Sequence, residues 1–306
     1  MGEYSVSVEK LRRDFGEFVA VDDVTFSVRP GEIFGFLGPN GAGKSTTIRM
    51  LCGLLAPTGG SGSVGGHDIM RESEEIKKTI GYMSQKFSLY DDLTVVENID
   101  FFSGMYGVTG RRKKERGEWV LEMAGLADRK TAITGTLPGG FKQRLALGCA
   151  ILHEPRIIFL DEPTSGVDPV SRRNFWDLIY DMSGSGTTVF VTTHYMDEAE
   201  YCNRLALIYR GKIIARGTPG ELKGEHMKKA VIEIRADDTV KAMETLDARG
   251  METAVFGNLL HATVDDADKS IPEIEKALGE GGVNLTGIQK IVPSLEDVFV
   301  TLIEEA

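Results

Sequence analysis

The run Gly38-Pro39-Asn40-Gly41-Ala42-Gly43-Lys44-Ser45-Thr46 fits G-x-x-x-x-G-K-[ST], a spacing suited to gripping a polyphosphate. Glycines let successive backbone N–H groups curl inward where a side chain would block an anion. A helix starting just after them would add its N-terminal dipole. Lys44 supplies a point charge for β- and γ-phosphates, and the Ser45 hydroxyl suits Mg²⁺, which takes few protein ligands beside phosphate oxygens and water. A second candidate is Asp161-Glu162. If the strand ending there lies next to the strand that enters the glycine loop, Asp161 comes near that metal. Glu162 then faces the terminal phosphate, placed to orient or deprotonate water. Two acids at a strand end can otherwise be a plain helix cap. Gln85 could contact the metal or the attacking water, or be an ordinary surface amide. His194 sits at a strand's carboxyl end, where open α/β sheets bind ligands. Phe15 reads either as a flat ring for a nucleobase or as a core or edge aromatic.

These residues need elements to hold them. Glu32 to Leu37 is an apolar run that reads as a buried parallel strand entering the loop, and Thr47 to Cys52 reads as the helix after it, closed near Gly53. Ile80 to Gln85, Arg156 to Asp161 and Thr187 to His194 read as further strands. Val6, Val8 and the alternating stretch from Val19 to Val28 supply β material before the loop. Thr58 to Gly66 is a turn-dense hairpin region. Thr94 and Glu97 have capping-box spacing. They open a mostly helical region reaching about Thr136, with breaks at Gly107, Gly110 and Gly125. Leu137-Pro138-Gly139-Gly140-Phe141-Lys142-Gln143 starts a helix that stops before Pro155, and its paired glycines leave backbone N–H groups bare for an anion. Leu205 to Tyr209 and Lys212 to Ala215, joined at Arg210-Gly211, read as a hairpin closing the first domain near Gly217 to Gly220.

The chain has 306 residues, room for two domains, and a net charge of −11, which argues against a nucleic-acid-binding face. The basic run Arg111 to Arg116 reads as a solvated loop and helix start. Cys52, Cys149 and Cys202 are scattered among apolar neighbours and read as buried, reduced thiols of a cytosolic protein. No stretch has a signal-peptide layout or a membrane-spanning apolar run, so a membrane role calls for a separate polypeptide.

From about residue 228 the pattern changes. Val231 to Arg235 alternates as a strand, and Val240 to Ala248 looks helical. Thr253 to Phe256 and Leu259 to Val264 flank Gly257-Asn258 as a hairpin. Ile271 to Leu278 reads as a helix, Val283 to Ile291 as a strand, and Ser294 to Phe299 as the start of a last helix. The order βαββαβ is a ferredoxin-like pattern. It carries no ligand constellation.

Taken in order, Gly38–Thr46, Gln85, Leu137–Gln143, Asp161-Glu162, Ser165-Gly166-Val167-Asp168 and His194 resemble the motifs of the nucleotide-binding subunit of ABC transporters, over about residues 4 to 220. Phe15 falls where that family places its base-stacking aromatic. His194-Tyr195-Met196-Asp197-Glu198-Ala199-Glu200 and the ending Pro293-Ser294-Leu295-Glu296-Asp297-Val298-Phe299 are similar to the exporter subgroup with a small C-terminal extension. The resemblance implies an α/β P-loop NTPase of ABC type: a RecA-like core with an antiparallel β subdomain and a helical subdomain at about 90–153. These make up domain 1–222, followed by a ferredoxin-like α+β domain at 228–306.

It also implies an ATPase using ATP and Mg²⁺, with Ser45, Gln85 and Asp161 at the metal and Glu162 as catalytic base. His194 holds γ-phosphate and water, and Asp168 links two sites. A second nucleotide-binding subunit, identical or paralogous, would sandwich each ATP between the phosphate loop of one copy and Pro138, Gly139 and Gly140 of the other. A membrane permease would be gripped through Gln85 and the helical subdomain, placing the protein on the inner face of the cell membrane. Pro138 departs from the family's serine, removing a hydroxyl and an N–H. It reads as a variant, or alternatively as the mark of a slow, degenerate site. Two other functions compete with the exporter reading: a soluble ABC ATPase acting on ribosomes or nucleic acid, and a nucleotide-gated regulatory module with little hydrolysis.

Overall fold

The structure, a computed structural model, describes residues 3–86, 88–227 and 229–304. The chain divides into two compact units, Met1–Thr218 and Pro219–Ala306. The expected start of the second domain at residue 228 lies outside the described residues.

A six-stranded sheet runs through the first unit in the order β10 (Lys212–Gly217), β9 (Arg204–Tyr209), β3 (Ile33–Leu37), β8 (Thr188–Thr193), β7 (Ile157–Asp161) and β6 (Ile80–Met83). All neighbours are parallel except β10, which returns antiparallel from β9 across the Arg210-Gly211 turn. β3, β7 and β8 are buried along their whole length, as continuous apolar runs require when both faces of a sheet are covered. One face meets an antiparallel sheet of β2 (Phe18–Val28), β1 (Val6–Phe15), β4 (Gly59–Val64) and β5 (His67–Asp68). Phe26 of β2 stacks on Phe34 of β3 at 5.4 Å between centroids, and Phe190 of β8 lies within 5.7 Å of both. Such a pair contributes about 0.5–1.5 kcal/mol beyond burial of its area.

Helices complete the unit: α1 (Lys44–Leu51), α2 (Ser73–Thr79), α3 (Val95–Met105), α4 (Gly110–Ala124), α5 (Gly139–Ala150) and α6 (Pro169–Gly184). The Thr94–Glu97 capping box forms in full at the start of α3. Val95, Ile99, Val120 and Leu145 make α3, α4 and α5 share one apolar cluster. The basic run lies inside α4, where Arg111, Arg112 and Lys113 pair with Glu115, Glu154 and Asp100.

The strand order differs from expectation at one place. β7 does not lie beside β3, because β8 stands between them. Asp161 still reaches the loop, since α1 leaves β3 and packs against both β8 and β7. The ladder sets the rest. Leu37 pairs with Thr193, and Asp161 with Thr192. The residues that follow them (Gly38, His194 and Glu162) therefore leave the sheet side by side.

The second unit holds an antiparallel sheet in the order β12 (Glu252–Phe256), β13 (Leu259–Val264), β11 (Ala230–Ala236) and β14 (Leu285–Ile291). Ile232, Ile234, Leu260 and Ala262 pack with Leu246, Ile274 and Leu278 of α8 (Thr239–Asp247) and α9 (Ala267–Glu280). α7 (Pro219–His226) packs against α10 (Leu295–Glu304). α9 begins four residues earlier than the expected Ile271, because Asp266 caps it through the amides of Asp268 and Lys269, and Pro272 is carried inside.

Candidate functional site

The glycine loop joins β3 to α1, which begins at Lys44, inside the motif rather than at Thr47. Two glycines are forced by contact: a Cβ on Gly38 would lie 2.2 Å from the Ile208 carbonyl oxygen. One on Gly43, whose φ is +109°, would lie 2.5 Å from that of Ala20. The loop is thus pressed onto the fold while Gly41 faces open space. Lys44, 4 % exposed, donates to the carbonyls of Gly38 at 2.8 Å and Pro39 at 3.1 Å. Its Nζ also sits 3.0 Å from Glu162 Oε1.

Glu162 collects the other polar groups. Gln85 Nε2 donates to its Oε2 at 3.0 Å, and His194 Nδ1 lies 3.1 Å from the same oxygen. Three residues singled out from distant parts of the sequence therefore converge on one carboxylate. Its backbone is unusual: φ at Glu162 is +47°, left-handed for a residue that is not glycine. The amide donates to the carbonyl and hydroxyl of Thr192 at 3.1 and 3.0 Å.

Asp161 has a different company. Its Oδ1 accepts from Ser45 Oγ at 3.0 Å and Thr192 Oγ1 at 2.7 Å. Burial raises its carboxyl above the usual range; the hydroxyls of Thr192 and Ser45 oppose this, and the nearby Glu162 charge adds to it. A buried carboxylate held by hydroxyls, with a serine oxygen beside it, is an all-oxygen set fit for a hard divalent cation.

The remaining candidates lie apart from this cluster. Pro138 is the N-cap of α5 and gives no side-chain cap; Gly139 faces open space, and a Cβ on Gly140 would meet the Ser171 hydroxyl at 2.4 Å. Asp168 caps α6 through the amides of Val170 and Ser171, bonds that hold its carboxyl below the usual range. Phe15, at the end of β1, is 47 % exposed, with the Arg13 guanidinium 4.5 Å above its ring.

Sequence reasoning gave no role to Thr192, Thr164, Gln143 or Glu198. Thr192 bonds both carboxylate residues. Gln143 Nε2 donates to the Pro163 carbonyl at 2.8 Å, and the buried Glu198 accepts from Thr164 Oγ1. Burial raises the Glu198 carboxyl, against the pull of the Thr164 hydroxyl. The one sequence signal was position: each sits within a few residues of a motif.

A family model described as ABC transporter matches residues 21–165, and one described as ATP-binding protein DrrA1-3-like, C-terminal domain, matches residues 217–303. A model of an AAA domain overlaps the first over part of its length, at residues 140–196. The Probable multidrug ABC transporter ATP-binding protein YbhF of Escherichia coli K12 is 55 % identical over 73 % of this chain, which spans 39 % of that relative's length. The linearmycin resistance ATP-binding protein LnrL of Bacillus subtilis is 34 % identical over 97 % of both chains. The daunorubicin resistance ATP-binding protein DrrA3 of Streptomyces coeruleorubidus is 33 % identical over 99 % of this chain and 96 % of its own. Among solved structures, an ATP-binding subunit of an ABC transporter is similar with a TM-score of 0.66 and 28 % identity, over 72 % of this chain and 92 % of that one. A dimeric, post-hydrolysis cassette, MJ0796 bound to ADP and Pi, is similar with a TM-score of 0.64 and 26 % identity, over 70 % and 98 %.

Proposed function

The chain belongs to the ATP-binding subunits of ABC transporters, and from that premise we propose that it drives export through a separate membrane permease by closing on ATP with a second nucleotide-binding subunit and reopening after hydrolysis. The observation that carries this reading is the convergence of Lys44, Gln85 and His194 on Glu162. A lysine, an amide and an imidazole around one anion are the groups a γ-phosphate needs. In the structure the Glu162 carboxylate sits among these three groups. ATP binding would give Lys44 phosphate oxygens instead and free Glu162 to accept a proton from the attacking water. His194 and Gln85 would hold that water and the γ-phosphate. Ser45, Asp161 and Gln85 would hold Mg²⁺, which neutralises developing charge on the phosphates. Phe15 would stack on the base once Arg13 moves aside.

Gly139 and Gly140 support a head-to-tail pair. Gly139 is open at the head of α5, so a partner's γ-phosphate could approach its bare amide, while Asp168 beside α6 would link the two sites. Among the described residues no helix is long and apolar enough to cross a membrane, so anchorage would come from the permease. A cavity of about 580 Å³ between the sheet and the helical region supports this: Leu54, Phe101 and Met105 expose apolar surface there beside Tyr90, with Lys77 and Lys78 at its rim. That site, lined also by Tyr82 and Ser88, would put the subunit on the inner membrane face. The names of LnrL and DrrA3 concern drug resistance, which favours outward transport.

Purification of the chain from its native membrane and assay of Mg·ATP hydrolysis test the reading. A multi-spanning membrane protein should co-purify, and Glu162→Gln should abolish turnover. Co-purification of ribosomes or nucleic acid in its place, or full activity in Glu162→Gln, overturns it.

A further inference from the structure

We infer that Gln143 is a positioning residue for Glu162, acting through the main chain of Pro163, an inference that rests on the role proposed for Glu162. The need for it lies in the backbone. Glu162 stands at φ +47°, a conformation a residue with a Cβ keeps only when its surroundings hold it from several sides. On the amino side the hold is visible: the Glu162 amide is bonded to both oxygens of Thr192. On the carboxyl side the next residue is a proline, which has no N–H to offer. Its carbonyl is therefore the one polar handle of residue 163, and Gln143 Nε2 takes it at 2.8 Å, with both groups buried.

Gln143 makes that bond at a local disadvantage. It is wholly buried, and its Oε1 has no hydrogen-bond partner. A buried, unpaired amide oxygen costs stability, so an apolar side chain of the same length would suit this place in the core better if packing were its only task. The geometry assigns the amide to the turn instead. Gln143 also lies one turn along α5 from Gly139 and Gly140. A shift of the head of that helix would be passed to Pro163 and hence to the carboxylate.

Gln143→Met tests this, because it keeps length and removes both amide atoms. Steady-state hydrolysis of Mg·ATP by the purified full chain should show kcat lowered about 10- to 100-fold, the scale of a small misplacement of a catalytic group. KM for ATP should stay within about twofold, since the phosphate loop is untouched, and the melting temperature should not fall. A kcat within about twofold of wild type overturns the assignment. So does a loss of kcat accompanied by a lower melting temperature and a raised KM, which would mark a purely structural residue. Gln143→Glu, which keeps volume but sets an acceptor against the Pro163 carbonyl, serves if Gln143→Met fails to fold; failure of both to fold also overturns it. Glu162→Gln is assayed in parallel. If Glu162→Gln hydrolyses ATP normally, the functional reading has failed. If it is inactive while Gln143→Met is normal, only the role of Gln143 has failed.

Discussion

Glu162→Gln should tighten binding of a non-hydrolysable ATP analogue to the separate chain by up to about tenfold, over and above its effect on hydrolysis. Lys44 Nζ and Glu162 Oε1 are 3.0 Å apart, with side chains 4 % and 6 % exposed. At that distance and an effective dielectric of about 20, two unit charges attract by about 5.5 kcal/mol. Nearly all of this is exchanged rather than lost when ATP enters, because Lys44 turns from carboxylate to phosphate. Glu162 has no such replacement at Lys44: it gives up one charge-assisted hydrogen bond, a net of about 1.5–3 kcal/mol, while Gln85 and His194 turn to the γ-phosphate in wild type and variant alike. A glutamine at 162 gives up a bond with charge on the lysine alone, at the low end of that range, about 1.5 kcal/mol. The difference, up to about 1.5 kcal/mol, is at most about tenfold in Kd at 1.4 kcal/mol per decade. Calorimetric titration of wild type and variant with AMP-PNP and Mg²⁺ measures it, and the analogue removes slower turnover as a cause of tighter retention. Equal dissociation constants for the two chains would refute the idea that Glu162 competes with nucleotide for Lys44.

Asp161→Asn should raise the melting temperature at neutral pH while removing hydrolysis. The folded pKa of Asp161 lies above its unfolded value of 3.8, so the folded state holds the proton more tightly and stability declines as pH rises from 3.8 through the folded value. The gain from the variant should accordingly grow across that interval, and a lower melting temperature at pH 7.5 would contradict it. Pro138→Ser should add a side-chain cap to α5, where none exists. A gain of about 1 kcal/mol corresponds to about 2–4 °C for a unit of this size; unchanged melting would show that the head of α5 gains nothing from a hydroxyl.

The glycine loop, the apolar runs around Phe36, Phe159 and Phe190, and the Arg210-Gly211 hairpin were legible because each is encoded in adjacent residues. Arg210 and Gly211 indeed take positive φ, as a tight hairpin turn demands. What stayed hidden depends on contacts across the chain. α2 buries only Ile76 and α7 only Leu222, so neither shows a helical period. No local pattern reports that β8 is inserted between β3 and β7, since strand order is a choice among crossovers of similar cost. Thr192 was hidden for the same reason, as its importance arises only because that insertion sets it level with Asp161. Within the site, the motif residues could be read directly, but the residues that brace them could not. A buried glutamine or glutamate becomes meaningful only when its partner is known.

The adjacent carboxylates at the end of β7 would let one strand end support two different tasks. Successive side chains of a strand point to opposite faces, so Asp161 alone, still in the ladder, is turned toward α1 and the Ser45 hydroxyl. Continuing the strand would send Glu162 to the other face, away from the phosphate loop. The left-handed φ at Glu162 breaks the alternation and returns its carboxylate to Lys44. The two acids then differ in company rather than in type. Asp161 meets hydroxyls, which carry no charge of their own and would leave room for a metal. Glu162 meets a lysine, an amide and an imidazole, groups that favour an anion and can be handed over to one. On the roles proposed for the two acids, the backbone distortion at Glu162 is what would separate metal binding from proton transfer. Under the same proposal, groups fixing that turn, Thr192 before it and Gln143 after it, would bear on turnover without touching nucleotide.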